Sequence, residues 1–205
     1  MGRTSDAKER LMTAALELMW GESYGAVTID DICTKADVKK GSFYYFFKSK
    51  ADLTVAALEK LWQDNWKQRL DACFSPATDP LQRLTNYLDS LHALHAERFK
   101  QYGKVLGCPV CSVGSEVSTQ ETDVSGKVRE IVARKRKYYE SAIRDAMAAG
   151  EIEPGDATQK ALAFSCLIEG AVAQARIMND PSVLGTLPAA ARDMLKSKTA
   201  AVAAI

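Results

Sequence analysis

Residues 28–53 read TIDDICTKADVKKGSFYYFFKSKADL, and this stretch decides the fold. Thr28 with Asp31 is a capping box, in which a hydroxyl and a carboxylate satisfy the first backbone N–H groups of a helix. Ile29, Ile32, Cys33 and Ala36 follow at helical spacing. Asp37 tolerates the bent or left-handed backbone of a tight turn, and Val38 is the apolar plug between two crossed helices. A second short helix is predicted from about Lys40 to Phe46. Ser49 with Asp52 forms another capping box and opens a longer helix through Leu53, Ala57, Leu61 and Leu70. Two short helices on a tight turn make a helix-turn-helix unit. In that unit the second helix enters the major groove of DNA and its N-terminal residues meet base edges.

The charges agree with this reading. From Lys35 to Lys50 there are five Lys (35, 39, 40, 48 and 50) against one acid, Asp37. Lys39 and Lys40 stand where the second helix starts. Gly41 has no side chain, so backbone can approach a phosphate or base. Tyr44 and Tyr45 can donate to phosphate oxygens. Lys48 and Lys50 can add sequence-independent affinity by releasing counterions.

Working outward, the chain predicts helix after helix, with no alternating strand pattern and no internal repeat. Asp6 with Glu9 predicts the start of a helix through Leu11, Ala14, Ala15, Leu18 and Met19. Asp79-Pro80 opens another through Leu81, Leu84, Leu88, Leu91 and Leu94. Val128, Ile131, Val132, Tyr139 and Ile143 mark a third, stopped by Gly150. Asp156 opens a fourth through Leu162, Ser165, Ile168, Val172 and Ala175. Asp180-Pro181 and Pro188 punctuate the last stretch, which closes in an Ala-rich tail. Gly107 to Gly126 lacks clean periodicity and predicts a loop with a short or irregular helix.

The block resembles the TetR family of bacterial transcriptional regulators. The matching residues are Thr28-Ile29, Ile32, Ala36, Val38, Lys40 to Tyr44, Phe47, Ser49-Lys50 and Leu53, with the spacing Gly41-x-x-Tyr44-x-x-Phe47-x-x-Lys50. The resemblance implies an all-α fold: a three-helix DNA-binding domain over residues 1–50 and a helical effector-binding and dimerisation domain over 51–205. It implies that Thr28, Lys40, Ser42, Tyr44, Tyr45 and Lys50 approach double-stranded operator DNA, to which the residue reading adds Lys39, Gly41 and Lys48. Tyr44 would then contact phosphate, while Lys40, Ser42 and Tyr45 lie nearest the bases. Four positions depart from the family pattern: Cys33 for Ala, Asp37 for Gly, Lys39 for a small N-cap Ser, and Phe46 for Tyr or His. The last removes one phosphate-binding hydroxyl.

A single helix-turn-helix makes a small footprint, so a homodimer reading two half-sites is expected. Ser165, Ile168, Glu169, Val172 and Ala175 are the candidate interface, since small and apolar residues permit close helix packing. The same residues would equally build an intramolecular core. Release from DNA needs a ligand that prefers one of two shapes. Trp62, Trp66, His95, Phe99, Tyr102, Cys108, Tyr138 and Phe164 are candidate effector-pocket residues, with plain core as the competing reading. Cys108-x-x-Cys111 with His92-x-x-His95 leaves several roles open: a tetrahedral zinc site, a redox pair, a sensing thiolate at Cys108 that meets electrophiles, or inert packing thiols. No cofactor and no resident metal are expected. Lys127, Arg129 and Arg134 to Lys137 form a basic cluster that reads as the solvated face of a helix.

The 205 residues suffice for a core without disulfides or metal. A formal net charge of +1 argues against a protein that coats nucleic acid, but not against a local basic patch. No secretory or membrane-spanning segment is read from the sequence, and five cysteines at irregular spacing suit a reducing cytoplasm. An enzyme would leave the 28–53 block unexplained, and no Gly-rich phosphate loop, G-x-S-x-G or H-E-x-x-H is present. A protein-only adaptor would bind no DNA.

Overall fold

A computed structural model describes residues 2–117 and 119–197, with side chains from residue 6 onward. The Ala-rich tail lies outside the described residues. Among those residues the fold is helical, with one isolated antiparallel bridge between Ile152 and Ser197. The helices are α1 (Gly2–Gly21), α2 (Ile29–Ala36), α3 (Lys40–Phe46), α4 (Lys50–Leu61), α5 (Lys67–Cys73), α6 (Pro80–Tyr102), α7 (Pro109–Val117), α8 (Thr122–Ala148), α9 (Ala157–Met178) and α10 (Leu187–Leu195). A π-helical turn, Trp62–Trp66, separates α4 from α5, and a 3₁₀ segment, Pro181–Thr186, precedes α10.

The chain forms two compact units. The first takes in Met1–Lys67 and Cys108–Val132. Here α1 packs on α2, α3, α4 and α7. Leu11, Ala15, Met19, Val27, Ile32, Phe43, Phe47, Leu53, Leu58, Val113 and Val117 fill its core. The α7 helix lies against this core through a glycine: a Cβ on Gly114 would meet Val128 Cγ1 at 2.6 Å. The second unit takes in Gln68–Gly107 and Ala133–Ile205. Its centre is aromatic: Phe74, Tyr87, Tyr139 and Phe164 are buried, with ring centroids 5.1–5.8 Å apart. The Tyr139 hydroxyl donates to that of Tyr87 at 3.0 Å, so neither polar tip is buried unpaired. Burial drives the Tyr139 phenol far above its ordinary pKa.

Most predicted boundaries rest on local chemistry that the structure bears out. Thr28 accepts from the N–H of Asp31 at 3.2 Å, and the Asp31 carboxylate accepts from the N–H of Thr28 at 2.9 Å. Asp37 sits at φ 52°, the left-handed turn that Asp tolerates, and its N–H closes the end of α2. Asp156 accepts from the N–H of Thr158 and Gln159 at 2.8 and 3.1 Å, opening α9. Gly150, at φ 73°, stops α8.

Three expectations are corrected. The Asp6–Glu9 capping box does not start α1, which runs from Gly2, and Asp6 pairs instead with Arg10 at 3.5 Å. The helix predicted through Leu70 is interrupted by the π turn, where the N–H of Lys67 bonds to the carbonyl of Trp62. The segment from Gly107 to Gly126 holds the short α7 between non-helical stretches, as its reading expected, and then the start of α8. The basic cluster is not uniformly solvated: Lys127 pairs with Glu59 and Glu130 at 3.1 and 2.6 Å, and the buried Lys135 pairs with Glu169 at 2.8 Å. The Lys127–Glu59 and Lys135–Glu169 pairs join residues far apart in sequence and the π turn is a register shift, neither of which hydrophobic periodicity reports.

Candidate functional site

The α2–turn–α3 unit presents a surface set by its buried side. Ile32, Cys33, Ala36, Phe43 and Phe47 point inward. Tyr44 and Tyr45 therefore point out, 55% and 75% exposed. Phe43 lies edge-on to Tyr44, centroids 5.2 Å apart, and Tyr45 is edge-on to Phe46 at 4.9 Å. Exposed aromatic hydroxyls on a rigid short helix suit contact with a polyanion. Thr28, Lys39, Gly41, Ser42 and Lys48 are also exposed. A Cβ on Gly41 would meet nothing within 4 Å, so the fold itself does not require glycine there.

The five lysines of 35–50 do not act alike. Lys35 pairs with Glu17 at 3.1 Å. Lys40 meets both carboxylate oxygens of Asp30, at 2.7 and 3.0 Å, and the bond to Asp30 raises its pKa. The ammonium groups of Lys39 and Lys48 pair with no acid among the described residues, although the N–H of Lys48 donates to Asp52 at 2.9 Å. Lys50 departs from the sequence expectation of a phosphate-facing cation. Its ammonium donates to the backbone carbonyls of Tyr24 and Val27 at 2.8 and 2.9 Å, and lies 4.2 Å from the centroid of the Tyr24 ring. Burial lowers its pKa, with the Glu121 and Glu116 carboxylates pulling the other way. Its charge is therefore directed into the protein.

The residues expected to line an effector pocket fall into both units. Trp62, Trp66 and Cys108 belong to the first; His95, Phe99, Tyr102, Tyr138 and Phe164 belong to the second. Trp62, His95 and Phe164 are buried, whereas Tyr102 is 52% exposed at the end of α6. The Tyr138 hydroxyl donates to Asp71 at 2.5 Å. Burial, with Arg98 and Arg69 adding to it, lowers the His95 pKa to about 4. The fold thus holds this imidazole neutral. A folded pKa below the unfolded one means that stability is full above about pH 6.5 and is lost as pH falls toward 4, by roughly 3 kcal/mol. Thermal melts across this window should show that slope, and His95→Gln should flatten it.

Sequence reasoning missed Tyr24, Asp30 and the aromatic centre Phe74–Tyr87–Tyr139. Asp30 was findable, as an acid on α2 ten residues before Lys40, across the turn; the others follow from long-range packing.

The expected interface residues Ser165, Ile168, Val172 and Ala175 are corrected. They are at most 7% exposed within the single chain, so they fill its own core rather than face a partner. Glu169 is engaged by Lys135. The uncovered side of α9 is Leu162, Cys166, Gly170, Ala173 and Ile177. By length and composition alone α9 would pass for a membrane-crossing helix, because both its faces are apolar.

Residues 11–57 match the family model described as bacterial regulatory proteins, tetR family. Residues 80–191, over half of the chain, match the model described as tetracyclin repressor-like, C-terminal domain. The chain belongs to the TetR family. It is a DNA-binding transcriptional regulator rather than an enzyme. Among curated relatives it is 30% identical over 135 residues to an uncharacterized HTH-type transcriptional regulator from Lactococcus lactis, covering 64% of this chain and 65% of that one. It is 29% identical over 180 residues to the transcriptional regulator AcuR of Cereibacter sphaeroides, covering 87% of this chain and 80% of that one. The crystal structure of a TetR regulatory protein from Rhodobacter sphaeroides superposes with a TM-score of 0.79 at 27% identity, covering 92% of this chain and 98% of that one.

Proposed function

We propose that the protein is a homodimeric repressor that holds operator DNA through α3 and leaves it when a small molecule binds residues 51–205. The observation that carries the DNA-reading half is the exposed edge made by Lys39, Ser42, Tyr44, Tyr45 and Lys48 around the open Gly41. Thr28 stands beside it as the cap of α2. Lys40 contributes once its ammonium leaves Asp30 or bridges Asp30 and a base edge. Residues 1–50 supply this surface. Action on operator DNA puts the working protein in the bacterial cytoplasm.

The dimer rests on the uncovered stripe of α9. Leu162, Cys166, Gly170, Ala173 and Ile177 recur at intervals of three or four residues, the spacing of a helix-packing seam with small residues at its middle. A second copy of the chain, offering the same stripe, would bury it. Release requires an effector with different affinities for the DNA-competent and DNA-incompetent shapes. The buried His95 supports an effector site in the second unit. Chemical modification of Cys108 by an electrophile is the alternative trigger, favoured only by the half-buried thiol at the start of α7.

Salt titration separates the two lysines that sequence alone treats alike. Lys48→Ala is expected to lower the slope of log K against log salt by about one. Lys50→Met is expected to leave that slope unchanged, because its charge is already used on backbone carbonyls. Fluorescence anisotropy on a duplex selected from random sequence by the wild-type protein measures both. An unchanged slope for Lys48→Ala would remove it from the phosphate contacts.

A further inference from the structure

The turn joining α1 to α2 lies between two helices and has few backbone hydrogen bonds of its own. The N–H of Val27 reaches the carbonyl of Ser23 only at 3.4 Å, and the N–H of Ala26 uses the Ser23 hydroxyl at 3.1 Å. The backbone groups of Tyr24 and Gly25 are satisfied instead by side chains from far along the chain. Glu116, on α7, accepts from the N–H of Tyr24 through Oε1 at 3.2 Å and from the N–H of Gly25 through Oε2 at 2.9 Å. On the other side, Lys50 Nζ donates to the carbonyls of Tyr24 and Val27 at 2.8 and 2.9 Å. Both backbone groups of Tyr24 are thus held by charged side chains, one from α7 and one from the first turn of α4. All of these residues belong to the first compact unit.

We propose that Glu116 is a positioning residue for operator recognition, acting through the Tyr24–Gly25 turn. It touches no DNA in this scheme. A carboxylate that accepts two backbone N–H groups makes charge-assisted bonds, which fix geometry more firmly than neutral ones. Two residues after the clamped pair come Val27, which is buried, and Thr28, which caps α2. The clamp therefore sets where α2 begins, and α2 together with the Asp37 turn aims α3. Base contacts depend on that aim far more than contacts to phosphate do. Gly25 suits the role, since even a Cβ there would stand 3.7 Å from the Glu116 carboxylate, an ordinary contact. The clamp also joins the reader to α7, the helix that opens just after Cys108. Burial, assisted by the Glu121 carboxylate, pushes the Tyr24 phenol up to about 12, in keeping with a closed joint.

The inference rests on the reading that this chain binds operator DNA, and the test separates the two. Glu116→Gln keeps the size but turns an NH₂ group toward one of the two amides. Affinity for a duplex selected from random sequence by the wild-type protein is expected to fall roughly ten- to a hundredfold, the scale of losing a charge-assisted bond. Affinity for a shuffled duplex of equal length and the salt slope should stay as in wild type. Amide hydrogen exchange at Tyr24 and Gly25, measured without DNA, should speed up selectively. Gly25→Ala, which keeps the N–H, should bind like wild type. Unchanged discrimination between the duplexes by Glu116→Gln overturns the positioning role. So does an equal loss on both duplexes with a lowered midpoint, the mark of a merely structural residue. A wild-type protein that does not discriminate between the duplexes overturns the DNA-binding reading itself, and the positioning role falls with it.

Discussion

Charging the uncovered side of α9 is expected to make the protein monomeric and to collapse its operator affinity. Leu162→Asp with Ile177→Asp places two carboxylates on a stripe whose residues are 39% and 74% exposed in the single chain. Substitutions at such positions cost a folded monomer little, within about 0.5 kcal/mol. Across a two-fold interface the same carboxylates face their own copies and lose water, which is costly unless they are paired. A dimer gains from two linked half-sites, so its loss should weaken operator binding by roughly a hundred- to ten-thousandfold. Sedimentation equilibrium reads the oligomer and anisotropy reads the affinity. A variant that stays dimeric would exclude this stripe as the interface.

The second large effect lies in the reader. Phe43→Ala is expected to cost about 3–5 kcal/mol, the range for deleting a buried aromatic ring. Phe43 is fully buried, and it is the buried residue of a seven-residue α3. A helix this short has no stability without its packing. The variant should lose α3 as an ordered element and bind neither specific nor shuffled DNA with wild-type affinity. Protection of the α3 amides in hydrogen exchange, together with anisotropy, follows both consequences. Operator binding at wild-type strength by Phe43→Ala would mean that α3 is not the element that reads DNA.

The parts of the fold legible in the sequence are those determined within a few residues. Thr28–Asp31 and the cap at Asp156 each follow from one side chain acting on nearby backbone, and Asp37 supplies a left-handed turn that Asp tolerates. What escaped depends on distant partners. Nothing near Lys50 announces that its ammonium turns to carbonyls 23 and 26 residues away. Nothing near Lys135 shows that Glu169 will draw it inward. Periodicity identified α9 as a packing helix but not which face meets its own chain. Both faces are apolar, so phase could not be assigned, and the residues taken for an interface are core. The π turn at Trp62–Trp66 escaped similarly, as a change of register without a change of composition.

The salt dependence of operator binding by the wild-type protein tests the central claim most directly. Lys39 and Lys48 from each of two copies should neutralise several phosphates, so log K should fall linearly with log salt, by close to one unit of slope per phosphate neutralised. The same titration on a shuffled duplex should start from a much weaker affinity. That salt dependence with strong discrimination is the predicted result. Absent binding, or binding indifferent to salt, would contradict the account.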